Sequence, residues 1–158
     1  DIISNDNNEA RDFVLLASST KLLRGIDTLY RQKTNEETEI TFISTEALER
    51  LKQIHHVTDE KTANWKFNRD FEALERTRKQ LFTTDKRCLK ISTIQSFKGW
   101  ESPSVIVILE SDFALPNTTY RPMSPQTIYT AITRARENMY IINIGNDTYH
   151  KFFYNQAL

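Results

Sequence analysis

Residues 128–142 read IYTAITRARENMYII, and a change of periodicity partway along this stretch decides the fold. Ile128, Ala131, Ile132 and Ala135 recur at helical spacing, whereas residues 139–144 form a short apolar run of β-favouring side chains. Ser124 and Pro125 supply the start of the helix. A serine N-cap accepts an orphan amide, and proline at the first helical position gives up no hydrogen bond. Arg134 falls near the helix C-terminus, where a cation complements the dipole. Taken alone, such an arginine reads as part of a solvated helix end.

Working outward, the rest of the chain alternates strand and helix signals. Residues 13–17 read as a buried strand, with Ser18, Ser19 and Thr20 as a choice of N-cap. Leu22, Leu23, Ile26, Leu29 and Tyr30 then share one helical face. A strand is expected over 39–44, a helix over 45–53 and a polar loop over 55–62. The longer helix at 64–82 turns Phe67, Phe71, Leu74 and Leu81 inward, with Glu72–Arg76 and Glu75–Lys79 pairs on its wet side. Strands follow at 88–93 and 104–109, and a proline-containing loop at 113–123. Strands alternating with helices predict an α/β fold, a mainly parallel sheet covered on both faces.

The chain has 158 residues, the size of one domain burying roughly 70% of its unfolded surface. Residues 1–10 are polar and read as a linker, leaving 11–158 as the domain. The opening without a methionine suggests a piece of a longer protein. Twenty-one basic residues balance 21 acidic ones. Bulk electrostatics therefore do not draw this chain to nucleic acid, although a local basic groove can. One cysteine, Cys88, excludes an internal disulfide framework and fits a reducing cytoplasm. No apolar run approaches the ~20 residues that cross a bilayer, so no membrane partner is expected.

Parallel sheets hold ligands at the carboxyl ends of their strands. Two stretches fall at such ends. One is 92–101, STIQSFKGWE, a polar turn whose Lys98 and Glu101 suit phosphate or ribose oxygens. The other is Ser18-Ser19-Thr20-Lys21, where ordinary N-capping outweighs anion binding. The glycines Gly25, Gly99 and Gly145 form no G-x-x-x-x-G-K-[ST] loop, so the chain cannot cradle ATP phosphates in that way. Glu110 and Asp112 then read as ordinary strand-end acids. His55, His56, Cys88 and His150 lack metal-ligand spacing, and no metal site is expected.

Together, two stretches resemble a known family. Residues 92–108, STIQSFKGWESPSVIVI, look like motif V of the UvrD/Rep-type superfamily I helicases, and 128–142 look like motif VI, in the same order and spacing. The likeness covers residues 90–144, and 13–31 more loosely resemble motif IV. It implies the second, C-terminal RecA-like domain of an ATP-dependent DNA or RNA helicase, DNA in preference to RNA. ATP and Mg²⁺ would be held mainly by an N-terminal RecA-like domain of the same protein. The resemblance implies that Arg134 reaches across the cleft to the γ-phosphate, with Lys98, Gly99 and Glu101 on the nucleotide side. Thr93, Gln95 and Ser96 would lie near single-stranded nucleic acid. Two departures stand out: Ala17 or Ser18 occupies the place of a motif IV arginine, with Lys21 or Arg24 as the substitutes at hand, and Gln95 stands where many members have histidine. The interval 31–90 is too short for the inserted subdomain of UvrD and Rep, so a compact member is implied. The alternatives are a nucleic-acid-binding or regulatory module without ATP coupling, and an ATPase that remodels complexes without unwinding.

Overall fold

The computed structural model describes residues 9–58, 64–111 and 123–156. The loop expected over 113–123 lies outside them except for Met123, as does part of the loop expected over 55–62.

Strand β1 (Phe13–Ala17) is buried at every position. It sits at the middle of a five-stranded parallel sheet of order β2-β3-β1-β4-β5. The others are β2 (Thr38–Ile40), β3 (Leu89–Thr93), β4 (Ser102–Glu110) and β5 (Ala135–Ile144). Val14 and Leu16 point to one face of the sheet, with Val105, Val107 and Leu109 of β4. Phe13, Leu15 and Ala17 point to the other, with Ile91, Ile106 and Ile108. A strand buried on both faces needs an apolar run rather than an alternating one, as FVLLA and VIVIL supply.

Helices cover both faces. Leu23 of α1 (Thr20–Thr34), with Leu22 and Ile26, packs on the Phe13 face. Ile128 and Ala131 of α4 (Pro125–Ile132), with Tyr149 and Phe153 of α5 (Asp147–Gln156), pack on the Val14 face. The pair α2 (Thr45–His55) and α3 (Trp65–Leu81) forms a satellite cluster of Leu48, Leu51 and Phe67 with Ile43. Each helix start that the sequence marks is capped as its chemistry directs. The side chains of Ser19, Ser44, Asn64 and Ser124 accept from Leu22, Ala47, Phe67 and Thr127 amides.

Buried polar groups tie the layers together. Asp27 of α1 is fully buried and accepts from the Arg31 guanidinium at 2.9 Å and from the Thr38 hydroxyl, fixing α1 to β2. Lys90 is buried and donates to the Arg11 carbonyl, while Ser102 donates to the Asp12 carbonyl at 2.9 Å. These two bonds seat the 3-10 turn Ala10–Asp12 beneath the sheet, and Ala10 packs on the Phe13 face.

Several expectations change. Leu74 and Leu81 are 40% and 66% exposed, because α2 covers only the first half of the α3 stripe, at Phe67 and Phe71. Leu29 is likewise exposed. Ala135 opens β5 rather than extending α4, since it pairs with Ser102. The strand expected at 39–44 is confined to Thr38–Ile40, and α5 was not anticipated. Of the two ion pairs expected on α3, Glu75–Lys79 forms, at 3.6 Å.

The α1–β2 corner yields a pH-dependent prediction. Tyr30 donates to Glu36 at 2.6 Å, and its pKa is pushed up to about 12, by burial first and then by the Glu36 carboxylate. Below about pH 10 both folded and unfolded chains keep the proton, and the stabilisation is complete. As pH rises above about 10, the unfolded chain ionises first and stability falls. Melts between about pH 9 and about pH 11 should show a smaller loss of Tm in Tyr30→Phe than in the wild type. Equal losses would contradict this assignment.

Candidate functional site

Register determines where the 94–101 connection must go. Thr93 is level with Ala17, but Ser104 is level with Phe13 on the other side of β1. The chain therefore crosses β1 while dropping from the carboxyl end of β3 to the amino end of β4. From Thr93 to Ser102 the drop is six residues of strand, about 20 Å at ~3.3 Å per residue.

Helical turns make the crossing. The amides of Phe97, Lys98 and Trp100 donate to the carbonyls of Thr93, Gln95 and Phe97 at 3.0, 3.4 and 3.1 Å. Thr93 Oγ1 starts the turn by accepting from the Ser96 amide at 3.1 Å, and it donates to Ser96 Oγ at 2.9 Å. Ile94 and Phe97 are buried against the Val14 face, which holds the connection down. Gly99 leaves the turn at φ +94°, a backbone conformation that side chains disfavour. Phe82, just beyond α3, packs edge-on against both Phe97 and Trp100, with centroids 6.1 and 5.9 Å apart. Gln95, Lys98 and Glu101 are exposed, and their side chains have no partner among the described residues.

Arg134 meets the far end of this connection. Its carbonyl accepts from the Ser102 amide at 3.0 Å. Its guanidinium donates to the carbonyls of Thr130 (3.1 Å) and Trp100 (3.3 Å) and to Thr133 Oγ1 (3.1 Å). Arg134 and Glu101 thus share one edge of the sheet, as the sequence led one to expect. That edge is the amino one, not the carboxyl one. Chain running from α4 into a parallel strand necessarily arrives at the strand's amino end. Thr93, Gln95 and Ser96 lie at the carboxyl end, so the structure separates the two groups of candidates.

Arg134 and Arg136 have different surroundings. Arg134 is half-buried and bonded within its own domain, because the last carbonyls of α4 lack intrahelical donors. Arg136, two residues further on, differs. It is exposed near the start of β5, with no partner among the described residues.

The start of α1 is not open to an anion. The amides of Ser18 and Ser19 both donate to Glu110 Oε1, at 2.7 Å each. Leu16 pairs with Val107, so Glu110 stands level with Ser19, and the chain's own carboxylate fills the helix N-terminus. Glu110 was read as an idle strand-end acid. The overlooked signal is an acid ending an apolar strand that must lie beside β1. Asn146, fully buried, extends the clamp by donating to the Glu110 carbonyl at 2.8 Å and accepting from the Tyr149 amide at 2.9 Å. Of the substitutes for a motif IV arginine, Arg24 is occupied. It donates to the Ile43 carbonyl at 2.9 Å and lies over the Phe71 ring. Lys21 is exposed without a partner among the described residues, and Asp112 lies outside them.

A family model described as the viral superfamily 1 RNA helicase core domain matches residues 17–143. The span contains every candidate site residue. It bears out a superfamily I helicase domain and lends no support to the UvrD/Rep branch in particular. No curated protein sequence matches the chain. With most of its length inside that match, the chain belongs to the viral superfamily 1 RNA helicase core domain family.

Proposed function

We propose that this chain is the second, C-terminal RecA-like domain of an ATP-dependent helicase of superfamily I, acting on single-stranded nucleic acid in the cytoplasm. The sequence alone favoured DNA; the description of the matching family turns the proposal toward RNA. The observation that carries it is the junction of the motif V-like and motif VI-like segments, where the Trp100 carbonyl and Ser102 amide are bonded to Arg134. An arginine and an exposed acid, Glu101, then stand together on one edge. The facing domain would supply the P-loop and, with it, Mg²⁺, since this chain carries no G-x-x-x-x-G-K-[ST] loop.

In this reading Arg134 stabilises charge as it builds on the transferring phosphoryl group, and Lys98, Gly99 and Glu101 border the nucleotide. Its present acceptors are neutral. Hydrogen bonds to an anion are roughly twice as strong as neutral ones, so an arriving γ-phosphate outcompetes them. Thr93, Gln95 and Ser96 contact the single strand at the other end of the connection. A regulatory module without ATP coupling is the second reading. It is favoured by Glu110, a carboxylate bonded where a motif IV arginine would stand.

The purified 158-residue chain should not hydrolyse ATP, and turnover by it would sink the two-wall site. In the full-length protein, Arg134→Ala should lower RNA-stimulated turnover by ~10³–10⁵. Because its hydrogen bonds are lost too, it should also destabilise the fold by about 1 kcal/mol. Arg134→Lys should rescue little, because a point charge does not replace the planar fork. Near-normal turnover in Arg134→Ala would move the regulatory reading ahead. Arg136→Ala, exposed and unbonded, should leave the melting temperature unchanged, and a marked drop would show that it has a structural role.

A further inference from the structure

Helix α3 carries a surface feature that neither motif explains. Its apolar stripe, Phe67-Phe71-Leu74-Leu81, lies on one side. On the opposite side, at helical spacing, stand Trp65, Arg69, Arg76 and Lys79, all exposed. Trp65 is 66% exposed. The Arg69 guanidinium lies 5.4 Å from its ring centroid and the Lys66 ammonium 5.8 Å. The far end of α3 runs into Phe82, packed on the Phe97–Trp100 connection. A row of cations thus leads from an exposed indole to the turn that carries Gln95 and Lys98.

We infer that Trp65 is a stacking platform for an unpaired base, extending the single-strand path from the Gln95 turn along α3. The inference rests on the proposed function and adds a contact that the motifs do not contain. A protein-docking face has an apolar centre depleted in charge. Here two cations, Arg69 and Lys66, lie over the indole, which is still 66% exposed, and the aliphatic residues of α3 lie on the other side of the helix. An aromatic face for the base with cations for the phosphates is the chemistry of single-strand binding. The acids temper it: Asp70 holds Arg69 at 2.9 Å, Glu75 holds Lys79 at 3.6 Å, and Glu72 stands exposed between Arg69 and Arg76. The stripe therefore contributes stacking more than bulk attraction, in keeping with a chain of zero net charge.

The test uses the full-length protein and two fluorescein-labelled probes, an oligouridylate and an abasic strand of equal length, read by anisotropy. Trp65→Ala should weaken oligouridylate binding by about five- to a hundredfold, and Trp65→Phe should retain most of the affinity. Binding of the abasic strand should be the same with and without the indole, which a merely structural role would not produce. Arg76→Ala should weaken both probes and lower the salt dependence by about 0.7 in log–log slope. If Trp65→Ala binds oligouridylate as tightly as the wild type while Gln95→Ala does not, the platform is wrong and the helicase reading stands. Equal losses on both probes also overturn the platform. If the wild type binds neither probe, both inferences fall.

Discussion

Strand β1 is hydrogen-bonded on both sides by parallel strands and buried throughout, and the rest of the structure answers to that constraint. Because β3 and β4 flank it, the chain joining them must cross over β1, and because all three run the same way it must also descend the whole sheet. Eight residues accomplish this without a full helix. Ile94 and Phe97, both buried, pin the crossing to the Val14 face, so its path is set by the core rather than by solvent. Exposed polar residues at its two ends are thereby assigned to opposite edges of the sheet. Topology thus separates the two groups of candidate residues before any ligand is considered.

The same constraint explains Glu110. A central strand leaves a helix at its carboxyl end, and that helix presents free amides there. Strand β4 runs three residues beyond the last paired position of β1, which brings a carboxylate level with those amides. An acid that ends a buried strand and meets two unpaired amides neutralises the helix terminus from within. Arg24 is engaged at the α2 side in a comparable way, by the Ile43 carbonyl and the Phe71 ring. Both side chains bond inward, so the first βα turn of this domain is devoted to holding the fold together.

What was legible in the sequence follows from what is local. The N-cap Ser124, the choice of caps that included Ser19, the apolar strands and the covered parallel sheet could be read because each depends on side chains a few residues apart. The partnership of Arg134 with Trp100, 34 positions away, depends on strand order, which no local pattern encodes. Edge assignment failed for the same reason. The rule that ligands gather at carboxyl ends holds for residues following strands, and Arg134 precedes one. Leu74 and Leu81 carried an unambiguous apolar periodicity and are nonetheless exposed. Periodicity reports which face of a helix is apolar, not how much neighbour exists to cover it.

The double use proposed for Arg134, as a cap in this domain and as a phosphate contact, can be weighed physically. As a cap it serves two carbonyls and a hydroxyl, all neutral and partly reached by water. Neutral hydrogen bonds contribute about 0.5–1.5 kcal/mol each, and less where solvent can replace them. A phosphate oxygen offers a charge-assisted bond, and closing the cleft around it lowers the local dielectric, so the exchange favours the phosphate. The carbonyls left behind at the α4 end are exposed enough to be rehydrated. What the domain gives up is therefore small compared with what the nucleotide supplies. Held in the meantime by Trp100 and Thr133, the guanidinium keeps one position instead of sampling many, which reduces the entropy to be lost when the second wall arrives.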